Sequence, residues 1–277
     1  MPRPVAAGSR DSLRSPRCHE QAASPLFRRL ATAALTGSVA LAMPTYSIAP
    51  CTVADGADIS RNNISAFWED PHWILAWRHT TLEHHIVEVA KRIPRNLLTD
   101  RTTKRHQKVT DPDTGRLLGY ARWYLPPSHA TSTDGAPVWP EAIVPAVEPK
   151  AEAEIRRIAA TAIWDPNAES DALLVPIREV KNEILARKPY MHLEYLAVHP
   201  ENQGKGVATV LVQSGMKEAE KVGLDIFIHA MKAGVGLYQR LGFRVAKEFV
   251  QDDSMYGGNG EHHVYLMIYE QNSSPNV

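Results

Sequence analysis

His192-Leu193-Glu194-Tyr195-Leu196-Ala197-Val198-His199-Pro200-Glu201-Asn202-Gln203-Gly204-Lys205-Gly206-Val207-Ala208-Thr209 decides how this chain is read. The apolar and β-prone residues of 192–198 mark a strand. His199 to Asn202 turns, and Gln203 to Ala208 is a short glycine-containing loop. From Gly206 to about Lys221, Val207, Val210, Leu211 and Ala219 recur at helical spacing, and Gly223 stops the helix. A strand that feeds such a loop into a helix has a physical use. The first helical N–H groups lack intrahelical partners and point at the loop, together with the positive end of the helix dipole. A pyrophosphate seated there gains several hydrogen bonds. Gly204 and Gly206 allow close approach and positive φ, while Lys205 and Gln203 add a charge and a polar contact.

Competing phosphate motifs fail on spacing. The segment lacks the G-x-x-x-x-G-K-[ST] pattern of a Walker loop. Thr209 occupies the third glycine position of a G-x-G-x-x-G fingerprint, and the motif falls late in the chain.

Working outward, Leu224 to Ala230 reads as the next strand and Val235 to Leu241 as a short helix closed by Gly242. Phe243–Phe249 and His263–Tyr269 are two final strands. Upstream, Tyr46 to Val53 reads as an edge strand interrupted by Pro50. A helix capped by Asp55 or Asp58 runs to about Trp68. A second covers Thr81 to Arg92 and ends before Pro94. His106–Thr110 and Arg116–Tyr124 flank Asp111-Pro112-Asp113-Thr114-Gly115, which is hairpin turn chemistry. Residues 126–188 form an insertion, with a loop to about Lys150 and helices near 151–163 and 177–187. The expected fold is one mixed α/β (α+β) domain over 44–271, with a mostly antiparallel sheet flanked by helices. Its parallel step lies at 191–230, where the helix is a natural crossover. Residues 272–277 are a tail.

The run Leu196 to Ala208 resembles the acetyl-CoA loop of the GNAT superfamily, [QR]-x-x-G-x-[GA], with its leading strand. Gly236-Leu237-Tyr238-Gln239-Arg240-Leu241-Gly242-Phe243 is similar to the family's second hallmark, a helix with Tyr followed by Gly-Phe. The resemblance is strongest over 190–250. It implies acetyl-CoA as co-substrate, with no metal. It also implies contacts from Leu196, Ala197, Val198, Gln203, Gly204, Lys205, Gly206, Val207, Ala208 and Thr209. The family often carries Asn about seven residues before the Tyr, where this chain has Met231, and Gly234 replaces the usual Ala.

Acetyl transfer to nitrogen needs a neutral amine, a base for its proton, an acid for the leaving thiolate and N–H groups that polarise the thioester carbonyl. The resemblance places the N–H groups near Val198 and the acid at Tyr238. By position His192 and Glu194 are the base candidates, and strand alternation puts them on one face. The plain structural alternatives are a core histidine, an ion-paired glutamate and a packed tyrosine. Trp68, Trp73 and Trp77 fall where the family's first helices shape the acceptor pocket. His84-His85 and His262-His263 diverge as neighbours and make poor metal sites, and Asp252-Asp253 reads as a solvated turn.

Composition narrows the field. Equal numbers of basic and acidic residues give zero net charge. Residues 1–43 concentrate six arginines against Asp11 and Glu20, so the remainder is slightly acidic. No long basic run marks a nucleic-acid partner, and no apolar run is long enough to span a membrane. Cys18 and Cys51 make neither a disulfide framework nor a metal cluster. Residues 1–43 read as an N-terminal extension. The alternatives are a targeting segment, either a signal-peptide core over Leu30 to Met43 behind Arg28 and Arg29 or a mitochondrial presequence, or a stretch upstream of a true start at Met43. The cytoplasm is otherwise the expected compartment. The expected function is N-acetylation of a small-molecule or protein primary amine. A non-catalytic acyl-CoA-binding regulatory module is the main rival, and a nucleotide-binding protein of another class is the third.

Overall fold

The computed structural model describes residues 46–271, which fall in one unit spanning 44–277. The expectations for 1–43 and 272–277 lie outside the described residues. The strands are β1 (Ser47–Pro50), β2 (Lys104–Thr110), β3 (Leu117–Tyr124), β4 (Tyr190–Val198), β5 (Asp225–Met231), β6 (Arg244–Asp252) and β7 (Glu261–Tyr269). They form a single sheet in the order β1-β2-β3-β4-β5-β7-β6. The β4–β5 pair is parallel and the other neighbours are antiparallel, as the element order led one to expect.

The helices are α1 (Gly56–Phe67), α2 (Leu82–Leu98), α3 (Pro149–Ala160), α4 (Val175–Arg187), α5 (Val207–Lys221) and α6 (Lys232–Arg240). The expected end of α2 before Pro94 is wrong, because the helix runs through that proline to Leu98. A proline inside a helix forfeits one backbone bond and crowds the preceding turn. Here Gly56 packs against the ring, and a Cβ on it would lie 2.8 Å from Pro94 Cγ. The α1–α2 packing thus accommodates the proline.

Two cores lie on opposite faces of the sheet. One face packs α5 through Val207, Leu211, Val212 and Ala219 onto Ala121, Trp123, Met191 and Leu193. Here Gly215 is pressed so closely on Trp123 that a Cβ would approach its ring to 2.1 Å. On the other face, Ile59 and Leu97 of α1 and α2 meet Leu117 and Tyr120. Ile177 and Ile184 of α4 meet Tyr190, Phe227 and Leu266. The 126–188 segment lies between β3 and β4 and supplies α3 and α4.

Candidate active site

Strand β4 is paired with β5 only from Tyr190 to Leu193, while its pairing with β3 continues to Val198. From Glu194 onward one edge of β4 has no strand partner, so a wedge-shaped opening splits the sheet. Backbone polar groups along such an edge are free for a ligand.

The end of the open strand is held from the far side by Asn62 of α1, a buried residue the sequence did not single out. Its Nδ2 donates to Ala197 O at 3.1 Å, and its Oδ1 accepts from His199 N at 2.9 Å. Gln203 Nε2 donates to Val198 O at 3.2 Å, so the loop's first side chain is tied back to the strand. Gly204 and Gly206 have φ of 72° and 88°, the left-handed region that favours glycine. The Tyr46 hydroxyl donates to Lys205 O at 2.7 Å. Val207 begins α5 and nests over Gly119, where a Cβ would sit 2.6 Å from Val207 Cγ1. Gln203, Gly204 and Lys205 remain exposed, Ala208 and Thr209 half-buried. The loop and the first turn of α5 therefore present orphan N–H groups beside the wedge.

Alternation along β4 is interrupted. Tyr195 stands opposite Arg122 and Leu193 opposite Trp123, so Glu194 is the extra residue of a β-bulge. Cross-strand partners share a face, and His192, opposite Tyr124, stands on the α1/α4 face. Glu194 stands on that face too, where its Oε2 lies 2.7 Å from Arg122 Nε. The Nε geometry falls outside that of a hydrogen bond, so the contact is an ion pair. The expected shared face holds by alternation, and the bulge brings Tyr195 onto that face as well.

His192 is buried edge-on against Phe227, with ring centroids 5.2 Å apart. Burial, then the charges of Lys181, His229 and Arg122, lower its pKa to about 3. It is neutral at pH 7 and a weak base. Glu194, by contrast, is exposed at the bulge. Tyr238 of α6 is buried, packed edge-to-face on Phe243 at 5.6 Å. Burial pushes its phenol up, so it stays protonated at neutral pH. No described residue hydrogen-bonds its hydroxyl.

In the α1–α2 connection, His72 Nδ1 lies 3.2 Å from Asp253 Oδ2 and its ring stacks on His262 at 3.6 Å. Asp253 also accepts from Gly260 N at 2.9 Å. Asp253 is thus buried, and the expectation of a solvated Asp252-Asp253 turn fails for it. Asp252 alone is exposed, accepting from Ser254. His263 diverges from His262, bonding Glu248 and Glu261. Trp73 and Trp77 join Trp68, His85 and Trp164 in an aromatic cluster. Phe67 links it to Tyr195 of β4. A cleft of ≈ 130 Å³ opens beside Trp77, His85 and Glu88.

Among the described residues, no group of three His, Cys, Asp or Glu is placed to hold a metal ion. No described helix is long and apolar enough to cross a membrane. Cys51 is a free, buried thiol; Cys18 lies outside the described residues.

The family model for the acetyltransferase (GNAT) domain matches residues 166–256, from the end of the insertion through the loop and Tyr238. No curated protein matches the sequence. Among solved structures, the chain is similar to a protein of the yellow fever mosquito Aedes aegypti provisionally designated arylalkylamine N-acetyltransferase 7. The identity is 13% and the TM-score 0.53, covering 81% of this chain and 86% of that one. A histone acetyltransferase HPA2 and related acetyltransferase from Corynebacterium glutamicum aligns at 17% identity and TM-score 0.49, covering 84% and 100%. The Drosophila melanogaster polyamine N-acetyltransferase aligns at 14% identity and TM-score 0.49, covering 82% and 100%. At such identities the mosquito structure speaks to fold alone. Residues 166–256 thus match the acetyltransferase (GNAT) domain model, and the described sheet has the fold of that mosquito structure.

Proposed function

We propose that this protein transfers an acetyl group from acetyl-CoA to a primary amine of a small molecule or protein. The observation that carries the reading is the wedge between β4 and β5, opening beside a loop with two positive-φ glycines at the start of α5. Exposed N–H groups of that loop suit a pyrophosphate, and Gly204 has open space where a side chain would stand. Bound acetyl-CoA would supply an activated thioester. The unpaired edge of β4 near Leu196, Ala197 and Val198 offers N–H groups to the carbonyl oxygen, in the dry setting where such dipoles act most strongly.

Glu194 stands at the mouth of the wedge and takes the amine proton. His192, deeper and neutral, accepts a hydrogen bond along the same route. Tyr238 returns a proton to the departing sulfur. Burial weakens His192 as a base, and Glu194 is engaged by Arg122. That favours, as a second reading, a module of the same fold that binds acyl-CoA without turnover.

Thiol release from acetyl-CoA with polyamines, arylalkylamines, amino sugars, amino acids and a Lys peptide separates the two. Amine-dependent release that collapses in Glu194→Gln and Tyr238→Phe supports the enzyme. Binding of acetyl-CoA without release by any amine supports the module. Absence of CoA binding would sink both.

A further inference from the structure

Helix α4 buries Ile177 and Ile184 against Phe227, Tyr190 and Leu266. Lys181 lies four residues after the first and three before the second, so it belongs to the same sheet-facing stripe. It is half-buried on that stripe. There its charge acts on His192 of β4 and on His229 of β5. His229 lies two residues beyond Phe227 on the same face, past the point where β4 and β5 part, and it is exposed in the opening.

Among the described residues no carboxylate forms an ion pair with Lys181, and the nearby acid that acts on it, Glu194, is already paired with Arg122. Lys181 is the fixed cation that acts on both His192 and His229. Holding an ammonium half-buried without a counter-ion costs free energy that a bound anion recovers.

We infer that Lys181 receives a carboxylate carried by the acceptor, so the preferred substrate is a small amine bearing a carboxylate, an amino-acid-like molecule rather than a polycation. This rests on the N-acetyltransferase reading and narrows it. The weakly acidic balance outside residues 1–43 does not describe this face.

The test compares matched pairs that differ only in the carboxylate: phenylalanine with phenethylamine, tyrosine with tyramine, arginine with agmatine, lysine with cadaverine. Their mono-N-acetyl forms, as products, are titrated calorimetrically into the full-length protein in the presence of CoA, and the free amines are assayed for thiol release. A charge-assisted contact gives the carboxylate-bearing member about 10- to 100-fold tighter binding. Lys181→Met keeps the stem volume and is expected to erase that ratio, leaving the affinity for the neutral partner within about 2-fold. Lys181→Arg retains the preference and serves if the methionine variant unfolds. Equal or tighter binding of the decarboxylated members overturns the inference, as does a ratio unchanged in Lys181→Met. Absence of binding by every carboxylate-bearing member overturns it as well. Lys181-dependent binding without thiol release from any amine would leave the carboxylate site standing and remove the catalytic reading instead.

Discussion

Asn62→Ala tests how the open end of β4 is held. The side chain is buried and satisfies two backbone groups more than 130 positions away, Ala197 O at 3.1 Å and His199 N at 2.9 Å. Alanine removes both partners and leaves those groups facing the protein interior. Each stranded group costs about 1–3 kcal/mol, so the variant should lose roughly 2–6 kcal/mol of unfolding free energy. For a domain of this size that is a fall in Tm of about 5–20 °C. The assay is urea unfolding followed by tryptophan fluorescence, with Asn63→Ala as the control. Asn63 Oδ1 bonds only the Asn62 amide among these partners, and its removal should cost about 1 kcal/mol. Affinity for acetyl-CoA, read by calorimetry, should fall in Asn62→Ala, because the displaced backbone lines the wedge. An Asn62→Ala variant with the midpoint and slope of wild type would refute the idea that this side chain holds the strand end.

Three further outcomes are expected. Gly215→Ala gains up to about 1 kcal/mol of helix propensity, but its methyl meets the buried Trp123 ring at 2.1 Å, and overpacking costs about 1–3 kcal/mol. The clash should win, lowering the urea midpoint, and Trp123→Phe should recover part of the loss; a stabilised Gly215→Ala would contradict this. His85 and His106 are buried with pKa lowered by desolvation from 6.5 to about 4 and about 3. Because the unfolded chain binds their protons first, stability is full above pH 6.5 and falls as the pH drops toward 4. The slope is about 1.4 kcal/mol per pH unit for each group. His106→Gln should flatten that dependence in denaturation curves taken at pH 5 and 7, and an unchanged slope would exclude His106 as a contributor. Tyr238→Phe should keep acetyl-CoA binding while lowering kcat by about 100-fold or more if the phenol is the acid; a kcat within 2-fold of wild type assigns the ring a packing role.

Much of the frame is legible in local pattern. The Asp111–Gly115 turn, the strand-to-loop step at Gln203–Gly206 and the closing Gly242 are short-range signals, because glycine and aspartate act on their own backbone. Alternation and helical spacing place every strand within a few residues. What escapes is set by partners distant in sequence. Nothing beside Asn62 announces Ala197, and nothing beside Lys181 announces His229. Asp253 looks like turn polarity until His72 and Gly260 are seen to enclose it. Pro94 reads as a helix stop because the accommodating glycine lies 38 positions upstream.

The bulge at Glu194 marks the one place where β4 can change length without losing its frame. Leu193 stands opposite Trp123 and Tyr195 opposite Arg122, so removing Glu194 alone would leave both halves of the strand in register, with Met191, Leu193, Tyr195 and Ala197 on their present faces. A residue removed away from the bulge is different in kind, since it would shift one half of the strand by one position and turn its core side chains to the opposite face. Relatives that lack the bulge should therefore be one residue shorter at this point. Other changes of length belong in the 126–188 segment, which enters the sheet only where the strand begins.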